Sequence, residues 1–217
     1  MTLKFEITDI QHPENPNLFR IRALRDITKY NIKAGDLGGY VTYGSNLSQT
    51  GNCWIGGDAL AFESAKVYGH AQVYGNVQLY GNARIYGKAH VYGNAHVYGN
   101  AHVYGNARVF DNVNISGNSR VFERATVYGN ARVCNGSRVY GDAQVYEDAK
   151  VSGNAHVEGL AEINKKMKVL GKCTVLATDQ IYYVDGVTAY FDKGENLLIK
   201  GTATPNYHET LARLKLS

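Results

Sequence analysis

From Val67 onward the chain repeats a six-residue measure of one aliphatic residue, one aromatic, glycine, asparagine, alanine and one polar residue. Val97-Tyr98-Gly99-Asn100-Ala101-His102 is a clean copy. The aliphatic place recurs nineteen times without an insertion or deletion, from Val67, Val73, Leu79 and Ile85 to Ile163, Val169 and Val175. The fifth place is mostly alanine, as at Ala71, Ala83, Ala89, Ala95, Ala101 and Ala107, with Val, Ser or a rare larger residue elsewhere. In the same phase, weaker matches run back through Ala61, Ile55 and Gln49 to Leu37, so residues 37–180 count as 24 hexads.

Two apolar places separated by one polar residue predict a short strand, because successive side chains on a strand point to opposite sides. In each Ala-x-Val-Tyr segment, Ala and Val then point inward while x and Tyr point outward. Gly-Asn predicts a tight turn, since glycine, and less readily asparagine, accepts positive φ. Three strands and three turns close a triangular coil. The 24 hexads then give eight coils, and the stack is about 38 Å long at the usual strand spacing. Neighbouring coils pair as parallel strands and bury Val and Ala against each other. The predicted fold is all-β, a single-stranded parallel β-helix, with its handedness left open by spacing alone.

A bare terminal rung would expose unpaired strand edges, so both ends need covers. Residues 3–10 and 17–24 alternate polar and apolar around His12-Pro13-Glu14-Asn15-Pro16-Asn17, which predicts an N-terminal hairpin cap over residues 1–36. Over 181–217, Ile181–Val184 and Val187–Phe191 flank Asp185-Gly186, a favoured hairpin turn. A third strand is expected over Asn196–Lys200. Thr204-Pro205 then resembles a helix start, and Leu211, Leu214 and Leu216 follow at roughly helical spacing.

Composition sharpens this picture. The chain has 24 Gly and 17 Tyr but only 3 Pro, none of them between residues 17 and 204. A helix whose rungs all donate backbone N–H groups requires such a gap. No stretch approaches 18 apolar residues, and no charged-then-apolar leader opens the sequence, so neither a membrane helix nor a signal peptide is expected. Cys53, Cys134 and Cys173 are odd in number and far apart, which argues against a disulfide framework and for a reducing cytoplasm. The net charge of +4 says little alone; its placement says more.

Each face recurs every 18 residues, so the outward columns can be written down. The first face reads Lys66/Tyr68, Arg84/Tyr86, His102/Tyr104, Arg120/Phe122, Arg138/Tyr140 and His156/Glu158. It sets a nearly continuous basic column beside five aromatics. The second face carries aromatics with fewer cations. The third loses its aromatics after Tyr98 and carries Ser116, Cys134 and Ser152, small residues that would admit a close neighbour. On the first face, Lys66, Tyr68, Arg84, Tyr86, His102, Tyr104, Arg120, Phe122, Arg138 and Tyr140 are the candidate binding residues. They could grip a polyanion, with phosphates on the cations and bases or sugars on the rings. The competing reading is structural: the rings stabilise neighbouring rungs and the cations confer solubility. Exposed aromatic surface also points to self-association, as a homodimer or homotrimer. His90, His96 and His102 fall on three different faces and cannot share a metal ion, so no metal site is expected.

The coil motif is similar to that of the hexapeptide-repeat acyltransferases, such as sugar-acyl and serine acetyltransferases, and this resemblance implies a left-handed helix. Leu24-Arg25-Asp26, Lys33-Ala34-Gly35-Asp36-Leu37-Gly38-Gly39-Tyr40-Val41 and Leu47-Ser48-Gln49-Thr50-Gly51-Asn52-Cys53-Trp54-Ile55 resemble the opening of YdcK-type proteins. That group is labelled as acyltransferases, and related β-helical proteins occur in phages and prophages. The resemblance implies an acyl-CoA-dependent O- or N-acyltransferase, with acetyl-CoA as cofactor and a histidine base at a trimer seam. Active members also extrude a loop that helps form the acceptor and coenzyme A sites. Residues 67–180 keep register without one extra residue, which leaves no such loop. The histidines lie on strands, and only His156 has a carboxylate, Glu158, in its own outward pair. These two are the sole catalytic candidates. The expectation is therefore a non-catalytic β-helical scaffold or binding protein without cofactor or metal. It would be cytoplasmic and homo-oligomeric, and a phage or prophage accessory factor in counter-defence, with a host or phage protein as partner.

Overall fold

A computed structural model describes residues 2–164, 167–172, 174–178, 181–185, 187–191 and 197–201, with side-chain surroundings as far as Val175. The repeat folds as a parallel β-solenoid of three sheets. Seven parallel rungs stack on the first face, from Lys66–Val67 to Thr174–Thr178, and seven on the second, from Trp54–Ile55 to Glu162–Ile163. Register is constant: Lys66 lies opposite Arg84 and Val67 opposite Ile85, then His102 opposite Arg120 and Val103 opposite Val121. Inward Ala and Val side chains form one continuous buried core along the axis. Where serine replaces alanine at Ser119 and Ser137, the buried hydroxyls donate to Ser116 O at 2.7 Å and Cys134 O at 2.9 Å. No polar group is therefore left unpaired there.

The turn glycines adopt the left-handed conformation, as at Gly99 with φ 68°. Glu63, Asp111, Glu123, Asn135 and Glu147 occupy the same place with positive φ. Three of these acids turn the strained geometry to use. The carboxylates of Glu63, Asp111 and Glu123 accept the N–H of Gly81, Gly129 and Gly141 one coil on, at 2.6, 3.1 and 2.9 Å. Beside these turns, Asn76, Asn94, Asn112 and Asn130 pass side-chain hydrogen bonds from coil to coil, ending on Asp148.

The first turn departs from the repeat. Val41 pairs with Ala61 and Leu47 with Val67, twenty residues apart instead of eighteen. Two extra residues lie between Leu47 and Ile55, so Leu47, and not Gln49, fills the aliphatic place. The solenoid makes about seven turns, where the hexad count predicts eight coils. Freed from the core, the Gln49 side chain serves the cap. Its Oε1 accepts from the backbone of Lys4 and Phe5 at 2.7 and 3.3 Å, and its Nε2 donates to Phe5 O at 3.0 Å.

The N-terminal hairpin is present as β1 (Phe5–His12) and β2 (Asn15–Ala23); β2 pairs antiparallel with β3 (Leu37–Val41), which joins the solenoid in parallel beside Leu60–Ala61. Trp54 stands at an outward place yet is only 2% exposed, because the cap covers it. Gly38 explains that closeness: a Cβ there would lie 2.6 Å from both Ile21 Cγ1 and Ile55 O. The outer edge of β1 carries register shifts after Ile7 together with Glu6 and Asp9, features that discourage edge-to-edge pairing.

At the other end, Ile181–Asp185 and Val187–Phe191 do not pair with each other. The first pairs antiparallel with Thr174–Thr178 on the first face, and the second with Leu197–Gly201 on the third. The expected hairpin therefore does not form, and the two strands belong to different sheets. The third strand expected near 196–200 is present as Leu197–Gly201, in parallel with Lys168–Gly171. The helix expected over 207–216 lies outside the described residues. Among the described residues, no helix is long and apolar enough to cross a membrane.

Candidate binding face

Strand periodicity places the first-face aromatics at one height per coil, and the parallel register brings their rings into contact. Tyr68, Tyr86, Tyr104, Phe122 and Tyr140 form one ladder, with centroids 4.8, 4.8, 5.0 and 4.8 Å apart and planes within 8° of parallel. Shorter ladders run through Tyr92, Phe110, Tyr128 and Tyr146 on the second face and Phe62, Tyr80 and Tyr98 on the third. The stacking has a chemical consequence. Tyr86, Tyr104 and Phe122 each spend both faces on their neighbours, so along the inner ladder bases or sugars have no ring face to stack on. What the ladder offers outward is ring edges and phenol oxygens. The same geometry supplies the ring-to-ring contact between rungs that a structural role would use.

Beside the ladder stand Lys66, Arg84, Arg120 and Arg138, all exposed. Among the described residues, the four salt bridges engage Arg20, Arg22, Lys33 and Arg124, and none of the first-face cations. His102 sits between Arg84 and Arg120 in the same column, with its ring edge against Tyr86 at 6.0 Å. Partial burial, and then the two neighbouring guanidinium groups, hold its imidazole below the ordinary value. At neutral pH the column's charge is thus carried by Lys66, Arg84, Arg120 and Arg138. The third face carries a shorter cationic run, Arg132, Lys150 and Lys168, without a ring ladder beside it.

The pair His156 and Glu158 lies on the first-face rung between Arg138–Val139 and Thr174–Thr178. His156 meets Tyr140 edge-on at 6.3 Å. Its imidazole is lowered first by burial and next by Arg138, with Glu158 pulling weakly the other way. Burial, and then the nearby Glu158 carboxylate, raise the Tyr140 phenol above its ordinary value. The pair thus lies one coil beyond the last ring of the ladder, Tyr140. His90, His96 and His102 fall on three different sheets, as their spacing requires. Of the small third-face residues, Ser116 and Cys134 are partly exposed and Ser152 is buried.

One polar cluster escaped the sequence reading. Lys4 is fully buried, and its Nζ donates to Cys53 O at 2.8 Å and to Cys53 Sγ at 3.0 Å. The available signal was a pair of departures from the repeat: Gln49 in a nominal aliphatic place and Cys53 in an alanine place.

A family model described as the YdcK Beta solenoid repeat matches residues 77–93, a segment holding Tyr80, Arg84, Tyr86, His90 and Tyr92. No curated protein matches the chain. The matched repeat and the three-sheet solenoid place the chain with β-helix proteins.

Proposed function

We propose that the protein is a non-catalytic binding scaffold whose first face holds an elongated acidic protein segment. The supporting observation is the unneutralised column Lys66, Arg84, Arg120 and Arg138 beside a rigid five-ring ladder. Stacked rings and buried inward residues fix the rung spacing, so the cations stand preorganised and little order is lost on binding. Guanidinium groups take carboxylates in paired hydrogen bonds, and Tyr68, Tyr86, Tyr104 and Tyr140 add hydroxyls along the same line. Single-stranded nucleic acid suits this face less well, because its usual gain comes from bases lying on free ring faces. The test is fluorescence anisotropy with a labelled poly-glutamate peptide. Wild type binds, and more weakly as salt rises. Arg84→Glu with Arg120→Glu loses binding while retaining the circular dichroism of the fold. Equal binding by that double variant overturns the proposal.

A further inference from the structure

The buried Lys4–Cys53 contact lies apart from the binding face and serves none of its chemistry. Lys4 is the last residue before β1, and Cys53 lines the core of the first coil; both are fully buried. Their side chains meet with Nζ 3.0 Å from Sγ, and the other acceptor for Nζ is Cys53 O at 2.8 Å. The remaining neighbours of the thiol are the carbonyls of Ser48, Thr50 and Val67 at 3.6–3.7 Å. A buried ammonium would need a carboxylate or three acceptors. Two acceptors, the Cys53 carbonyl and sulfur, match the two N–H groups of a neutral amine, and a small rotation about the last side-chain bond turns its lone pair to the sulfur. Burial, the largest influence on this amine, drives it below the ordinary lysine range; Cys53 pulls the other way through its charge and hydrogen bond, and Arg25 lowers it slightly.

We propose that Lys4 and Cys53 are a modification site, where peroxide converts the contact into a covalent sulfur–nitrogen link. Hydrogen peroxide is the oxidant. Its O–O bond breaks, one oxygen bonds to sulfur to give sulfenic acid, and one water leaves. The Lys4 lone pair then attacks that sulfur. The S–N bond forms as the S–O bond breaks, and hydroxide departs with an amine proton as a second water. Thiol, amine and one peroxide thus yield the link and two waters; sulfur is oxidised by two electrons and peroxide reduced by two. Sulfenic acids are known to condense with nitrogen in this way. Thr2 and Leu3, next to Lys4, are exposed, so local opening of this segment is the route by which oxidant reaches the buried sulfur. The link would fasten the outermost strand to the first coil, closing a span of 49 residues.

The experiment treats the full chain carrying Cys134→Ser and Cys173→Ser with hydrogen peroxide and maps its peptides without reductant. The expected product is a peptide containing Lys4 joined to one containing Cys53. Its mass is two hydrogens below the sum of the two, and dithiothreitol releases it. Lys4→Met in the same background should lose the joined peptide and accumulate oxygen on Cys53 instead. Oxygen added to Cys53 without a joined peptide in the Lys4-containing chain overturns the proposal. So does Cys53 that stays unmodified until the chain unfolds.

Discussion

Removing one ring from the middle of the first-face ladder should cost about twice as much as removing one from its end. Tyr104 stacks on Tyr86 at 4.8 Å and on Phe122 at 5.0 Å, whereas Tyr68 has a single ladder neighbour, Tyr86 at 4.8 Å. Each stacked pair contributes about 0.5–1.5 kcal/mol beyond its buried area. Tyr104→Ala therefore loses about 1–3 kcal/mol of stacking and Tyr68→Ala about half that. Tyr104→Phe should cost almost nothing, since Phe122 fills the same place one coil on and stacks equally well. Hydrogen exchange reads the effect locally. The Tyr86 and Tyr104 N–H groups donate to Val103 O and Val121 O at 3.0 Å, and their protection reports opening of adjacent rungs. A loss of about 1.4 kcal/mol corresponds to roughly tenfold faster exchange. Equal effects of the middle and end substitutions, or a large effect of Tyr104→Phe, would refute stacking as the source of the stabilisation.

Glu123 supports a second prediction: Glu123→Ala keeps the left-handed backbone at φ 58° but loses the bond to Gly141 N, and should cost about 1 kcal/mol by urea denaturation. Glu123→Gly should cost less, because relief of the left-handed strain offsets part of the lost bond. Gly38→Ala should lower stability by about 1–3 kcal/mol and loosen the cap first, since its Cβ would press on Ile55 O; amide exchange in β2 and β3 locates the loss. His90, His102 and His156 all have imidazoles held below the ordinary value of 6.5, burial being the first cause. The unfolded chain then takes up protons before the folded chain does. The stability these groups provide is fully present above 6.5 and is lost as pH falls through their lowered values. Replacing all three with glutamine should flatten the dependence of the urea midpoint on pH below 6.5.

The solenoid was legible because its physics is local and repeated. Val103 and Ala101 are inward for the same reason in every coil, and one glycine in six announces the turn. The outward columns followed from the same arithmetic, so the neighbours of Arg84 and Tyr86 could be named in advance. Legibility failed where a residue answers to something outside its own hexad. Gln49 kept the numerical phase but serves the backbone of Lys4 and Phe5. Trp54 falls at an outward place of the repeat and is buried under the cap. Asp185 read as a local turn, yet the strands on either side belong to different sheets. On the face itself, charge and aromaticity were plain from sequence. That the rings would consume each other's faces needed their distances.

The most direct measurement compares equal charge reversals on two faces of the same solenoid. Arg84→Glu with Arg120→Glu alters the column beside the five-ring ladder, while Arg132→Glu with Lys150→Glu alters the bare cationic run on the third face. Both change net charge by the same amount, and neither touches the core. In anisotropy titrations with labelled poly-glutamate, the first pair should lose binding and the second should retain it within a few-fold. Equal losses from both would show that overall charge alone attracts the acidic peptide, and would contradict a binding surface built on the first face.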